Sequence, residues 1–119
     1  LDLRRNQIRL LQIYPDAWNE PIRCGFQVVS LDESPSYVAL SYVWGRGEEN
    51  CVVTVDGKVV HVKPNLYAAL RRLRAHSRED NIWVDALCID QACTRERNHQ
   101  VRIMGQIYSK CREVLVWMG

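Results

Sequence analysis

Two carboxylates, a thiol and an amide close one apolar run of this chain: Ile82-Trp-Val-Asp85-Ala-Leu-Cys88-Ile-Asp90-Gln91. A second run, Tyr37-Val-Ala-Leu-Ser41-Tyr42-Val-Trp44-Gly45, finishes in a hydroxyl, two aromatic rings and a glycine. A strand that only has to be buried needs no such ending. Two strands that finish this way predict a site built where they finish. Glu96, Arg97 and Gln100 follow on the first turns of a helix and are expected on the same edge.

The elements that must position these groups are legible as patterns. Ile8 to Tyr14 and Ile22 to Leu31 read as strands, each closed by a Pro/Asp-type turn. Val38 to Val43 is a third. Cys51 to Val62 carries Asp56-Gly57 between two β-branched runs, the signature of a two-residue hairpin that needs positive φ. Counting outward pairs Val55 with Lys58, Val53 with Val60 and Cys51 with Val62 on an apolar face, with Thr54 and His61 on the other. Asn65 to His76 is a helix with the stripe Leu66, Ala69, Leu70, Leu73, started either by Asn65 as cap or by Pro64 as first residue. Its Arg71, Arg72 and Arg74 are expected outside, a solvated basic face with Arg78. Ile82 to Asp85 is a strand. Thr94 caps a helix to about Cys111 with the stripe Val101, Met104, Tyr108, Cys111, and Glu113 to Met118 closes as a buried apolar strand.

Strand, helix, strand, helix, strand in that order predicts right-handed crossovers and a parallel sheet flanked by helices. An N-terminal strand pair leads in and the hairpin is an insertion. Ligands of such sheets bind beyond the carboxyl ends of the strands, where both polar clusters fall. Arg97 and Gln100, one turn before Val101 and Met104, extend the core stripe inward, and buried polar groups must be paired.

Each candidate also has a plainer reading. Asp85 and Asp90 either serve a ligand or cap turns and pair with Arg97. Trp44 and Trp83 are stacking platforms or core. Cys88 with His99 has the composition of a thiol nucleophile, against which stands a buried structural cysteine. Gly45-Arg-Gly47 is not a phosphate-cradling loop, because acids rather than a helix follow it.

Composition sets the frame. The 119 residues make one domain, and a net charge of +2 from 16 basic and 14 acidic residues gives no bulk electrostatic reason to bind nucleic acid or membrane. No apolar run reaches the ~18 residues of a membrane span. Five irregularly spaced cysteines fit neither a disulfide framework nor a zinc site, which points to a reducing, cytoplasmic setting. No metal is expected. Beginning at Leu1 and stopping just past an apolar strand, the chain reads as a piece of a longer protein.

YVALSYVWG, NIWVDALCIDQ and ERNHQVRIMGQIYSKCREVLVWMG resemble, in order, three blocks of the heterokaryon-incompatibility (HET) domain of filamentous fungi. The likeness covers residues 37–119 as an α/β core, with 1–36 as lead-in strands that carry no motif. It implies an effector of non-self recognition that triggers death of mixed cells, through self-association and contacts with other incompatibility proteins. HET domains are also regarded as distant relatives of Toll/interleukin-1 receptor (TIR) domains, and Leu40-Ser-Tyr42 is similar to the start of one, which implies a flavodoxin/TIR-like sheet.

Some TIR domains cleave NAD with a glutamate on the helix after the third parallel strand. That helix would begin beyond Gly119, so no residue here matches the glutamate, and Glu96 sits on a different helix. The resemblance still implies an alternative in which NAD is a substrate and no resident cofactor is needed. Tyr42 or Trp44 would stack on a ring, Arg97 would lie near phosphate, and Asp85, Asp90 or Glu96 would face the positive charge that develops as nicotinamide leaves. Ser41, Gly45, Cys88, Gln91 and Gln100 complete that ligand set. A third option, a redox-sensing thiol, requires an acidic thiol at Cys88 or Cys93.

Overall fold

The computed structural model describes residues 5–42, 48, 50–76 and 81–117. Its elements are β1 (Gln7–Ile13), β2 (Ile22–Ser30), β3 (Val38–Tyr42), β4 (Cys51–Val55), β5 (Lys58–Val62), α1 (Pro64–Ala75), β6 (Ile82–Trp83), α2 (Asp85–Cys88), α3 (Thr94–Lys110) and β7 (Glu113–Trp117). The strands form one sheet in the order β5-β4-β2-β1-β6-β3-β7. Strands β6, β3 and β7 are mutually parallel and are linked by helices, as the strand–helix alternation predicts.

The whole sheet is mixed, however, which corrects the expectation of a parallel one. β1 runs antiparallel to both β2 and β6, and β2 lies parallel to β4. The lead-in strands are therefore the middle of the sheet, joining the hairpin on one side to the parallel unit on the other. The fold is α/β, a mixed seven-stranded sheet flanked by helices.

Register separates the faces. Ile82 pairs with Leu11 and Val38, so these share one face with Leu40, while Trp83 points the other way. Leu40, Leu115 and Trp117 meet Ala69 and Leu73 of α1 around a second cleft, and Trp117 Nε1 donates to Asn65 Oδ1 at 3.0 Å. On the opposite face Trp83 packs edge-on to Tyr108 of α3, with ring centroids 5.5 Å apart. The buried hydroxyl of Tyr37 donates to the Ile107 carbonyl at 2.5 Å. Helices α1 and α3 thus cover opposite faces. Trp83 is core.

The hairpin has the expected pairing, Val55 with Lys58 through Cys51 with Val62. Asp56 and Gly57 both take positive φ, 51° and 79°, as a two-residue turn of this hand requires. The Asp56 carboxylate then accepts from the Phe26 amide at 3.2 Å, while the Asp56 amide donates to the Cys24 carbonyl. The hairpin tip is pinned to β2. Gly25 lets this happen, since a Cβ there would lie 2.2 Å from the Tyr14 hydroxyl and 3.2 Å from Asp56 Oδ1.

Of the two starts offered for α1, Pro64 as first residue holds, with Lys63 as the N-cap. Three expectations are corrected. Strand β6 ends at Trp83, because the Val84 carbonyl accepts from the Leu87 and Cys88 amides and folds Asp85–Cys88 into a single helical turn. Cys93, not Thr94, caps α3, whose buried stripe is Glu96, His99, Gln100, Ile103 and Ile107; Val101 is exposed. Strand β7 pairs only with β3 among the described residues, and Val114 and Val116 on its outer face are exposed, so the apolar run is an edge and not a covered strand.

The basic face of α1 is also not simply solvated. Arg74 is buried and donates to the carbonyls of Ala17, Trp18, Glu20 and Pro21 at 2.8–3.3 Å. Arg71 donates to the Trp18 carbonyl and lies 4.1 Å over the Trp18 ring. This arginine pair ties α1 to the turn between β1 and β2.

Candidate functional site

A cleft of about 570 Å³ opens at the carboxyl edge of the parallel strands. Tyr42 at the end of β3 and Ala86, Leu87, Ile89, Asp90 and Gln91 after β6 line one side. Arg9, Phe26, Lys58, Val60, His61, Val62, Lys63 and Leu66 line the other. Of the residues proposed from sequence, the cleft brings together Tyr42, Asp90 and Gln91. It does not include Ser41, half-buried in β3, or Asp85, Cys88, Glu96, Arg97 and Gln100. Trp44 and Gly45 lie outside the described residues.

Glu96 explains much of the arrangement. Its carboxylate is gripped by Arg9 of β1 through two bonds, Arg9 Nη1 to Oε2 at 2.6 Å and Nη2 to Oε1 at 2.7 Å. Oε2 also accepts from the Asp90 amide at 2.5 Å, and Arg9 Nη1 reaches the Cys88 carbonyl at 3.4 Å. Burial pushes the Glu96 carboxyl up, but the Arg9 bonds and the Asp90 amide outweigh it and hold it below the ordinary range. Its bonds to Glu96 raise Arg9 in turn, against desolvation. Both carboxylate oxygens are occupied. This glutamate ties three chain segments together and is badly placed to attack, protonate or stabilise anything else.

The other polar groups divide the same way. Asp90 Oδ1 accepts from the Ala92 amide at 3.1 Å, a turn cap, yet the residue is exposed on the cleft wall. Asp85 is half-buried at the start of α2, and burial raises its carboxyl above the usual range against backbone hydrogen bonds that lower it. Gln91 Nε2 donates to the Asp85 carbonyl at 3.1 Å. Gln100 is fully buried and ties α3 to β1 through Nε2 to the Gln7 carbonyl at 2.9 Å; its Oε1 has no partner among the described residues. Arg97, expected inside, is exposed, because the buried stripe runs one position earlier on the helix.

Of the two thiols considered, Cys88 is enclosed and Cys93 is exposed. Cys88 is buried, Sγ accepts from the Val84 amide at 3.5 Å, and desolvation pushes the thiol up to about 12. A thiol so rarely ionised is neither a nucleophile nor a sensor. The hydrogen bond that His99 makes is with Gln100, and among the described residues none joins it to Cys88.

Sequence reading missed the cleft's second wall. Arg9, Phe26, Lys58 and His61 come from strands read as lead-in or insertion, and Lys63 is the N-cap of α1. The available signal was the Asp56-Gly57 turn, which fixes the hairpin without saying which strand it will flank. No helix among the described residues is long and apolar enough to cross a membrane, and these residues contain no cluster suited to a metal ion.

Residues 37–119 match the family described as Heterokaryon incompatibility protein (HET). The chain is also 34% identical over 126 residues to heterokaryon incompatibility protein 6, OR allele, of Neurospora crassa. That alignment takes in 94% of this chain and 18% of the relative, so the chain spans under a fifth of the protein it matches. No solved structure matches it. The three blocks fall on β3, on β6 with α2, and on α3 with β7, the elements that build the carboxyl edge. With the family match spanning well over half its length, the chain belongs to the heterokaryon incompatibility (HET) family.

Proposed function

We propose that this chain is an effector domain of fungal heterokaryon incompatibility, acting in the cytoplasm through self-association and partner contacts to bring about death of mixed cells. Family membership and the name of the Neurospora relative support the role. The observation that carries the mode of action is the closed state of Glu96. The best-placed carboxylate is consumed by Arg9 and the Asp90 amide, so the polar residues at the strand ends hold the fold together. Meanwhile both edge strands present valines to solvent, Val59 on β5 and Val116 on β7, each 64% exposed, where another chain can pair or pack.

The test is inducible expression in fungal cells, with self-association followed by light scattering on the purified chain. Val59→Lys and Val116→Lys sit on exposed positions and should leave folding intact. Loss of assembly and of cell death together is the expected result. Death that persists in variants shown to be monomeric sinks the reading.

A second reading, a flavodoxin/TIR-like NAD nucleosidase, draws support from the cleft itself, which sets Tyr42 and Asp90 at the carboxyl edge of the parallel strands. Nicotinamide released from NAD by the wild-type chain, and lost in Asp90→Asn, is what it requires. Turnover unaffected by that change removes Asp90 from the chemistry.

A further inference from the structure

Helix α3 carries a second apolar stripe that the core does not fully use. Val101, Met104 and Tyr108 recur at spacings of three and four, so they share one flank of the helix, beside its buried face. Tyr108 rests edge-on against Trp83, which turns this flank toward the parallel strands. Register then fixes what lies next to it. Trp83 pairs with Ala39, and Ala39 with Val114, so Val114 and then Val116 stand on the α3 face of the sheet. The helix itself is anchored farther inward, on β1, by Glu96 to Arg9 and Gln100 to the Gln7 carbonyl. Between helix and edge strand an apolar strip is left uncovered: Val101 is 57% exposed, Val114 45% and Val116 64%.

Shape and charge say what fits there. Parallel strands are ordinarily covered on both faces, and the covering layer is helical. On the other face of β7, α1 does this through Ala69 and Leu73 against Leu115 and Trp117. Beside the strip, Gly105 follows Val101 by four residues and precedes Tyr108 by three, and a Cβ added there would meet nothing within 4 Å. The packing of the chain does not require this glycine, which costs a helix stability relative to alanine, and it leaves a low point where a partner can come close. Charge narrows the partner. Arg95, Arg97, Arg102 and Lys110 of α3 are exposed and form no ion pair among the described residues, while Glu96, the acid of this helix, is spent on Arg9. Arg97, four residues before Val101, stands on the same flank. Against these cations stands the half-buried Asp85 carboxyl, whose charge reaches Tyr108. A second copy seated here would set the arginines against themselves, whereas a negatively charged partner answers them.

We propose that the strip between α3 and β7 docks an acidic amphipathic helix of a partner protein. That helix lies alongside α3 over β3 and β7, packs its apolar face on Val101, Val114 and Val116, and sets its carboxylates toward Arg97. The inference rests on the incompatibility reading and deepens it, by giving the β7 side a partner of stated chemistry. Val101 and Arg97 take no part in pairing along the edge strands, so docking and edge-to-edge assembly can fail separately.

The probe is a synthetic helix of about 18 residues, long enough to form in water, with leucine along one face and glutamate on the rest. A twin carries lysine for each glutamate. Each is titrated into the 119-residue chain and followed by amide chemical shifts. The glutamate peptide should shift Val101, Gly105, Tyr108, Val114 and Val116 and bind about tenfold or more tighter than its twin, with a gap that narrows as salt is raised. Val101→Ser and Arg97→Glu, both on exposed positions, should each weaken it about tenfold while leaving self-association by light scattering unchanged. The amide spectrum of each variant reports whether it is folded. No shift at these residues with millimolar peptide overturns the proposal, as does equal binding of the lysine twin or binding that both substitutions leave intact. Signals of Val101 and Gly105 that move when the chain alone is diluted would make the occupant a second copy, which overturns it too. The incompatibility reading falls by a different result, death that persists in monomeric edge variants.

Discussion

Replacing Glu96 by Gln tests whether this carboxylate is a structural tie or a working group. The change keeps the size and an oxygen for the Asp90 amide, but removes the charge that answers Arg9. The Glu96 side chain is 6% exposed and that of Arg9 is 21% exposed. Breaking a buried ion pair typically costs about 3–5 kcal/mol because one charge is stranded. Water reaches Arg9, so the lower end applies, with a discount for screening, and about 2 kcal/mol is expected. For a chain of this length that lowers Tm by roughly 8 °C. Glu96→Ala also strips the Asp90 amide of its acceptor and should cost about 1 kcal/mol more.

The pH dependence has a definite sign. Glu96 in the folded chain titrates below its ordinary value of 4.5, so its contribution is present above that pH and is lost as the pH falls through the folded value. Urea unfolding at pH 7 and at pH 3 measures both effects. The difference between wild type and Glu96→Gln should shrink at the lower pH. A Glu96→Gln variant as stable as wild type at pH 7, yet inactive in cells, would refute the structural assignment and return this residue to the chemistry. Arg9→Met with Glu96→Leu should recover much of the loss, since neither charge is then left alone.

Two more outcomes follow from the geometry. Arg74→Met leaves the carbonyls of Ala17, Trp18, Glu20 and Pro21 without their shared donor and should cost about 3 kcal/mol, with faster proteolysis of the β1–β2 turn; Arg74→Lys should rescue it only partly, because an ammonium cannot span that fork. Iodoacetamide should label exposed Cys93 in the native chain and spare Cys24 and Cys88, whose thiols burial pushes up to about 12, as peptide mass spectrometry would show; rapid labelling of Cys88 would contradict the packing around it.

Local signals were legible in the sequence and distant pairings were not. The hairpin register follows from a turn that only positive φ can make, and the structure reproduces it pair for pair. The strand–helix order of the parallel unit was equally readable. Arg74 was misplaced because a charged residue on a helix reads as outward, and nothing local reveals carbonyls more than fifty residues earlier in the chain. The stripe of α3 was misassigned because the winning face carries Glu96, His99 and Gln100, which a search for apolar periodicity discounts. Arg9 was overlooked for the same reason, its partner being 87 residues away. The site inherits these errors, since its position was predicted from strand ends while half its lining comes from segments with no recognisable block.

The central position of β1 and β2 has a consequence for how the chain is made. These strands leave the ribosome before the rest of the sheet, and both their outer edges stay open until later segments arrive. Leu11 waits for Ile82, about seventy residues on, and at 5–20 residues per second that is roughly 4–14 seconds of exposed strand. A fragment started at residue 37 would meet the opposite difficulty, with β4–β5 and β6-β3-β7 left as two half-sheets that share no ladder. The hairpin of the first thirty residues is the keystone laid before its arch, and the cell must shelter it from other open edges until the arch is built.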